Sequence, residues 1–179
     1  MKLGVTRVPK QNEQCKLVIL ETSDMHGNIF PINYGNNEET SSGFAKISSL
    51  LKRELCLSSF TLVIDNGDVL QGTPLTYHYA RYLNEKENPL ISCLNHLEYD
   101  AAVIGNHEFN YGKGLLEKAI SQSNFPWLSA NILDSKSKQP AFGRPYIIKE
   151  FNNGLRVAVL GVTTHYIPNW ENPTHIKGL

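Results

Sequence analysis

The chain has 179 residues, which is enough for one domain with a proper hydrophobic core. Its 17 basic and 17 acidic residues cancel, so charge predicts neither a nucleic acid polymer nor an acidic membrane surface as partner. Hydrophobic residues make up 41% of the chain, but no run approaches the roughly 18 apolar residues of a membrane span. The composition is typical of a globular protein, and nothing in it indicates an oligomeric state.

Residues 1–15 are predicted to form a loose polar lead-in. They lack the apolar segment that defines a signal peptide, so the chain as it stands is predicted to stay in the cytoplasm, but an exported protein without its signal segment would have the same sequence and the location stays open. The three cysteines, Cys15, Cys56 and Cys93, show no C-x-x-C spacing. This pattern argues against a disulfide framework and against a zinc ribbon.

Strands and helices alternate along the rest of the chain. Short apolar runs predict strands, in chain order, in LVIL (17–20), TLVIDNGD (61–68), DAAVIGNH (100–107), PWLSANI (126–132), PYIIKEF (145–151) and LRVAVLGV (155–162). Helical spacing of apolar residues predicts helices in GFAKISSLLKREL (43–55), TPLTYHYARYLNE (73–85), PLISCLNHLEY (89–99) and LLEKAISQ (115–122). The last two strands flank Asn152-Asn153-Gly154, which predicts a hairpin near residues 145–162.

This order predicts an α/β fold with a mostly parallel sheet and helices on the outside, because the central strands are apolar on both faces. In such sheets ligands bind beyond the carboxyl ends of the strands. Polar side chains follow three successive strands at that end. They are Asp24 and His26 after the first, Asp68 after the second, and Asn106 and His107 after the third.

The residue types at these strand ends predict a metal centre. Carboxylates, imidazoles and an amide oxygen, without a thiolate, suit hard or borderline divalent ions such as Mn, Zn, Fe, Mg or Ca. A carboxylate can bridge two such ions, and a two-ion site clamps the attacking and leaving oxygens of a phosphoryl displacement. A histidine beside the ions could stabilise developing charge or protonate the leaving oxygen.

The segments SDMHGN, DNGDVLQGT and GNHEFNYG resemble the first three motifs of the calcineurin-like metallophosphoesterases. Within that family they are most similar to the branch of 5′-nucleotidases and 2′,3′-cyclic-nucleotide 2′-phosphodiesterases. The resemblance runs from about Leu17 to about Val162, with the motifs in family order. It implies part of an α-β-β-α sandwich, two divalent metal ions and a small nucleotide substrate.

The resemblance also implies a role for each residue that matches a family motif. Asp24 and His26 would bind the first metal, and Asp68 would bridge the two. Asn106 would hold the second metal and its phosphate, and His107 would be the catalytic histidine that faces the substrate phosphate.

Position 110 distinguishes members of the branch. Family 5′-nucleotidases usually carry Asp there, paired with the catalytic histidine, whereas this chain has Asn110. The form GNHEFNYG resembles the bifunctional 2′,3′-cyclic-nucleotide 2′-phosphodiesterase and 3′-nucleotidase enzymes. Asn110 is therefore expected to orient His107 by a hydrogen bond without contributing a charge.

The later family motifs, a further metal-binding His and a Gly-His-x-His-type segment, have no counterpart here, nor does the C-terminal substrate domain. Residues 1–179 are therefore expected to be a single, partial metallophosphoesterase domain. Three functions stay open: a 2′,3′-cyclic-nucleotide phosphodiesterase, a 5′-nucleotidase or sugar-nucleotide hydrolase, and a truncated, non-catalytic fragment that binds metal or phosphate.

Other polar residues receive less prominent predictions. Glu108 is expected to be structural, and Asn131 is a weaker candidate for contact with the site. The remaining histidines are expected to lie outside the site or, for His165, at most near its edge; they are His78, His96, His165 and a solvated His175.

Overall fold

A computed structural model describes residues 14–179, so most of the predicted lead-in lies outside the described residues. The strands are β1 Val18–Thr22, β2 Thr61–Asp65, β3 Ala101–Val103, β4 Trp127–Leu128, β5 Tyr146–Glu150 and β6 Arg156–Leu160. The helices are α1 Phe44–Leu57, α2 Pro74–His78, α3 Pro89–His96, α4 Lys113–Gln122 and α5 Ile167–Trp170. None of the helices among residues 14–179 has the length and apolar character needed to cross a bilayer.

The first four strands form one parallel sheet in the order β1-β2-β3-β4. Val18 pairs with Thr61 and Thr22 with Asp65, so β1 and β2 end side by side. Because every strand runs the same way, all carboxyl ends lie at one edge of the sheet. The predicted mostly parallel sheet is therefore confirmed, and it places the three polar strand ends together.

The two faces of this sheet are covered differently. On one face the main core packs α1, α3 and α4 against the strands through residues such as Leu51, Leu94 and Leu116. On the other face Ala101, Val103 and Leu128 contact Ile147 and Val159 of the β5-β6 hairpin. The layers run helix, sheet, second sheet, which confirms the predicted α/β layering and the hairpin.

The helices depart from the predicted elements at two places. Thr73 caps α2 by accepting from the Thr76 backbone, and Pro74 stands at the first helical position. The predicted helix over 73–85 is nevertheless only five residues of α-helix, followed by a π-helical turn at Tyr79–Leu83. The four-residue α5 was not predicted, since one turn is too short to show helical periodicity.

Candidate metal centre

The loops after β1, β2 and β3 meet at the carboxyl edge of the sheet. They border a cavity of about 470 Å³, a volume in the range of small-molecule sites. The cavity is lined by Asp24, Asp68, Asn106, His107, Asn110, Ile167, Trp170 and Glu171. All the predicted site residues except His26 therefore line one cavity, and His26 lies directly beside it.

Hydrogen bonds tie the three loops into one unit. The Asp24 N–H donates to the Gly67 carbonyl at 3.1 Å, and the His26 N–H donates to the Asp68 carbonyl at 2.9 Å. The His107 N–H donates to Asp68 Oδ1 at 2.8 Å. The loop after β2 thus positions the loops after β1 and β3. Asp68 binds the first of these through its carbonyl and the second through its carboxylate.

Three of the predicted metal ligands adopt left-handed backbone conformations. Their φ angles are 54° at Asp24, 47° at His26 and 60° at Asp68. This region is uncommon for residues other than glycine, although Asp and His are enriched in it. Such conformations cluster at functional sites, where surrounding contacts hold them in place.

His26, Asp68 and His107 each offer one ligand atom, and these atoms lie within 4.8 Å of one another. His26 Nδ1 lies 2.8 Å from the Gln71 carbonyl, to which it donates, so Nε2 is left with its lone pair. Histidines that bind metals commonly donate their other ring nitrogen to a carbonyl in this way. Asp24 Oδ1 lies 3.7 Å from His26 Nε2, which adds a carboxylate to the group.

The charges around the cavity also suit a cation. Asp24, Asp68 and Glu171 contribute carboxylates, while no lysine or arginine among residues 14–179 lines the cavity. Asp68 uses one carboxylate oxygen for the His107 N–H and keeps the other available. The donor set therefore fits hard or borderline divalent cations, which bind carboxylate oxygen and imidazole nitrogen.

Asn106 and His107 stand where β3 gives way to a single 3₁₀ turn, His107–Phe109. The Asn106 side chain does not cap this turn, so its amide oxygen is not committed there. His107 Nδ1 lies 2.7 Å from Asn110 Oδ1, at the far end of the same turn. The predicted hydrogen bond between Asn110 and His107 is present.

Glu108 holds the backbone of the site and does not itself line the cavity. Its side chain is fully buried, and it accepts hydrogen bonds from the N–H groups of Asp68, Val69, Leu70 and Gly105 at 2.7–3.3 Å. Burial raises the pKa of this carboxyl, against the lowering effect of these hydrogen bonds. Glu108 thus holds the second loop to the third, in agreement with its predicted structural role.

Gly105 lies where the second and third loops approach each other closely. A Cβ at this position would lie 2.3 Å from Asp68 Oδ1 and 2.8 Å from Glu108 Oε2. These contacts would displace both carboxylates, so the glycine before Asn106 allows the second and third loops to pack together.

A second buried carboxyl lies just beneath the site. Asp65, the last residue of β2, accepts from Thr22 Oγ1 at 2.6 Å and from the Gly67 N–H at 2.9 Å. Desolvation by burial raises its pKa to about 7, with smaller upward contributions from Glu108 and Asp24. The sequence did not single out this residue.

The sequence also missed Glu171. Its Oε2 accepts from Asn110 Nδ2 at 2.6 Å, and its Oε1 lies 2.9 Å from His175 Nδ1. His175 is therefore half-buried and hydrogen-bonded, and the prediction of a solvated side chain is wrong. No motif marks Glu171 in the sequence, because it lies 61 residues from Asn110.

The other polar residues lie away from the site. His78 and His96 are exposed on α2 and α3, as predicted. Asn131 exchanges hydrogen bonds with the backbone of Thr163, and it lines a separate cavity together with His165. The expected contact of Asn131 with the site is therefore wrong, and His165 does not line the cavity either.

Sequence comparison identifies the family to which this arrangement belongs. Residues 17–176 match the family described as calcineurin-like phosphoesterase. The chain belongs to this family. Calcineurin-like phosphoesterases use a dinuclear divalent metal centre, and the His26, Asp68 and His107 group is a candidate for part of it.

Relatives with named activities support the same assignment. The chain is 32% identical over 180 residues to a 2′,3′-cyclic-nucleotide 2′-phosphodiesterase/3′-nucleotidase from Yersinia enterocolitica, covering 94% of this chain and 28% of that protein. It is 33% identical over 168 residues to a 5′-nucleotidase from Vibrio cholerae, covering 92% of this chain and 28% of that protein. The chain therefore spans less than a third of the length of these relatives.

The fold is shared with solved structures of the family. The crystal structure of the calcineurin-like phosphoesterase YfkN from Bacillus subtilis superimposes with a TM-score of 0.79 at 33% identity. The match covers 90% of this chain and 52% of that one. The predicted sandwich is thereby confirmed as the family fold.

Proposed function

We propose that this chain carries the metal site of a hydrolase of nucleotide phosphoesters, most like a 2′,3′-cyclic-nucleotide 2′-phosphodiesterase/3′-nucleotidase. One observation carries the proposal. Ligand atoms of His26, Asp68 and His107, from the ends of three parallel strands, lie within 4.8 Å of one another in a chain of the calcineurin-like phosphoesterase family. Residues 1–179 would form the first part of the catalytic domain of such an enzyme.

In this proposal Asp24 and His26 would hold the first divalent ion, Asp68 would contribute to both ions and Asn106 would hold the second, while His107 would face the phosphate beside them. The geometry supports this division, since His26 Nε2 and Asp24 Oδ1 are neighbours and Asp68 lies between the loops of His26 and His107. When bound, the ions would supply Lewis-acid stabilisation of phosphoryl charge and a lower pKa for water. Oxygen and imidazole ligands suit several of the candidate ions, including Mn²⁺, Zn²⁺ and Fe.

His107 would act on the reacting phosphate. Its Nδ1 donates to Asn110 Oδ1, so Nε2 is the nitrogen that can take up a proton at the cavity and then deliver it. For a 2′,3′-cyclic nucleotide, a water oxygen forms a new bond to phosphorus and the bond from phosphorus to O2′ breaks. The attacking water gives up one proton and O2′ takes up one, which leaves a 3′-nucleotide; His107 Nε2 would accept the first proton and deliver the second.

The pairing at position 110 favours the cyclic phosphodiesterase over the second candidate, a 5′-nucleotidase or sugar-nucleotide hydrolase. Asn110 hydrogen-bonds to His107 as an uncharged amide. In 5′-nucleotidases of the family the matching residue is usually Asp. The second candidate keeps support from the 33% identity to the Vibrio cholerae 5′-nucleotidase. Both candidates use the same metal centre and differ in the substrate.

A substrate panel tests this proposal. The chain, with added Mn²⁺, is incubated with 2′,3′-cyclic AMP, 3′-AMP, 5′-AMP and a sugar nucleotide, and the products are separated by chromatography. We expect 2′,3′-cyclic AMP to be consumed fastest. We expect Asp68→Asn to lower that rate by about 100-fold or more, because a shared carboxylate is lost from both ion sites.

His96→Ala serves as the control, since His96 is exposed at the end of α3 and does not line the cavity. It should keep the wild-type rate. Faster consumption of 5′-AMP or of the sugar nucleotide would favour the second candidate. A folded chain that consumes none of the four substrates would instead favour a non-catalytic fragment that binds metal or phosphate.

A further inference from the structure

A line of side chains runs from the catalytic histidine to α5. His107 Nδ1 contacts Asn110 Oδ1 at 2.7 Å, and Asn110 Nδ2 donates to Glu171 Oε2 at 2.6 Å. Glu171 follows directly after α5, and its side chain is only 7% exposed. The Asn110 amide therefore lies between His107 and a buried carboxylate, and it is hydrogen-bonded to both.

From this line we propose that Glu171 is a positioning residue that fixes the orientation of the Asn110 amide and, through it, the tautomer of His107. An amide has a donor end and an acceptor end, and rotation by 180° exchanges them. An ionised carboxylate offers only acceptors, so Glu171 requires the NH₂ end of Asn110. The oxygen of Asn110 must then face His107, and it can only accept.

This orientation determines which ring nitrogen of His107 carries the proton. Nδ1 must donate to Asn110 Oδ1, so the neutral ring holds its proton on Nδ1 and leaves Nε2 with a lone pair. If the amide were reversed, its NH₂ group would face Nδ1 and the proton would move to Nε2. The catalytic meaning of this choice rests on the proposed function, because Nε2 is the atom assigned to the phosphate.

The contacts of the second carboxylate oxygen explain why a glutamine at position 171 could not hold Asn110 in the same orientation. Oε1 accepts from the Asn172 N–H at 2.7 Å and lies 2.9 Å from His175 Nδ1. In Glu171→Gln, the amide oxygen of the new side chain would stay on the Asn172 N–H, which needs an acceptor. Its NH₂ group would then face Asn110 and force that amide to turn around.

Two variants with side chains of nearly unchanged size should therefore have opposite effects on the tautomer of His107. Glu171→Gln should reverse the Asn110 amide and move the proton of neutral His107 from Nδ1 to Nε2. Adding Asn110→Asp to Glu171→Gln should restore the original state. The glutamine introduced at position 171 would donate to one oxygen of the carboxylate introduced at position 110, and the other oxygen of that carboxylate would accept from His107 Nδ1.

The test is a ¹⁵N NMR measurement on metal-free protein at a pH at which the ring of His107 is neutral. The ring nitrogens are assigned by their loss in His107→Ala, and their ¹⁵N shifts distinguish protonated from unprotonated atoms. We expect the Nδ1–H tautomer in the wild type, Nε2–H in Glu171→Gln and Nδ1–H again in the double variant. Glu117→Gln serves as the control, since Glu117 is exposed on α4. It should give the same spectrum as the wild type.

Turnover gives a second measurement of the same effect. With 2′,3′-cyclic AMP and Mn²⁺, Glu171→Gln should lower kcat about 100-fold with little change in KM, and the double variant should recover most of it. A wild-type ring with its proton on Nε2, or an unchanged tautomer in Glu171→Gln, would overturn the inference. A wild-type chain without turnover contradicts the proposed function alone, since the NMR result does not depend on activity.

Discussion

The carboxyl edge of the parallel sheet and the β5-β6 hairpin follow opposite rules. At the edge, Asp24, His26 and Asp68 adopt left-handed backbone angles, and Glu108 is a fully buried carboxyl. In the hairpin, the strands pair in regular antiparallel register from Tyr146 opposite Leu160 to Glu150 opposite Arg156. The sheet edge departs from local backbone preferences at three of its functional positions, while the strands of the hairpin pair in a regular register.

The difference shows how the fold separates stability from chemistry. The hairpin places Ile147 against the core and leaves Ile148 half exposed, an ordinary alternation for a strand. The loops at the sheet edge need outside support, which comes from Glu108 and from hydrogen bonds between the loops. Substitutions of those supporting residues should therefore lower the stability most, and substitutions on the outer face of the hairpin should lower it least.

The largest expected effect on stability comes from Glu108→Gln. The substitution replaces one acceptor oxygen by an NH₂ group that would face backbone N–H donors in a fully buried position. We expect the free energy of unfolding to fall by about 3 kcal/mol, as measured by urea denaturation. The matched change Glu117→Gln on the exposed face of α4 should alter it by less than about 0.5 kcal/mol. Equal effects of the two variants would show that Glu108 does not support the loops.

An intermediate effect is expected from the buried carboxyl of Asp65. Its pKa rises from an ordinary value of 3.8 to about 7 in the folded state. Between these two values the native state binds more protons than the unfolded state, so its stabilising contribution, complete below about pH 4, is lost as the pH rises through 7. The slope from this group is at most about 1.4 kcal/mol per pH unit.

Asp65→Asn imitates the neutral acid and should remove that slope. Urea denaturation of the metal-free protein from pH 5 to pH 8 measures the difference between variant and wild type. A difference that stays constant across this range would mean that Asp65 is ionised throughout, contrary to the expectation.

The smallest effects are expected in the hairpin, where neighbouring isoleucines point to opposite sides. Ile147→Ala removes contacts with the cluster of Ala101, Val103 and Leu128, and we expect a loss of about 1 to 2 kcal/mol because the residue is only partly buried. Ile148→Ala, at a position that is 48% exposed, should change stability by less than about 0.5 kcal/mol. Thermal and urea denaturation of both variants would test this contrast, and similar losses would contradict the packing of the hairpin.

Much of this architecture could be predicted from the sequence because the signals are local. Apolar runs that end in Asp24, Asp68 and Asn106 mark three strands and their ends, and parallel pairing brings those ends together. The hairpin is equally readable, since Asn152-Asn153-Gly154 separates two apolar runs. Periodicity and turn chemistry suffice for features of this kind.

The rest could not be predicted, because it depends on contacts between distant parts of the chain. Glu171 reaches Asn110 across 61 residues, and Asp65 is buried by neighbours from β1 and from the third loop. Asn131 follows a strand as the ligands do, yet it bonds to Thr163. A position at a strand end therefore indicates which residues can reach the site, and the packing of the loops decides which of them do.

The activity of the site can be measured as hydrolysis of 2′,3′-cyclic AMP by this chain in the presence of Mn²⁺. We expect 3′-AMP to be formed, and we expect His107→Ala to lower its formation by about 100-fold or more while the protein stays folded. Formation of 3′-AMP at an unchanged rate in His107→Ala would contradict the role of this site. A folded wild-type chain that forms no 3′-AMP would contradict the proposed activity.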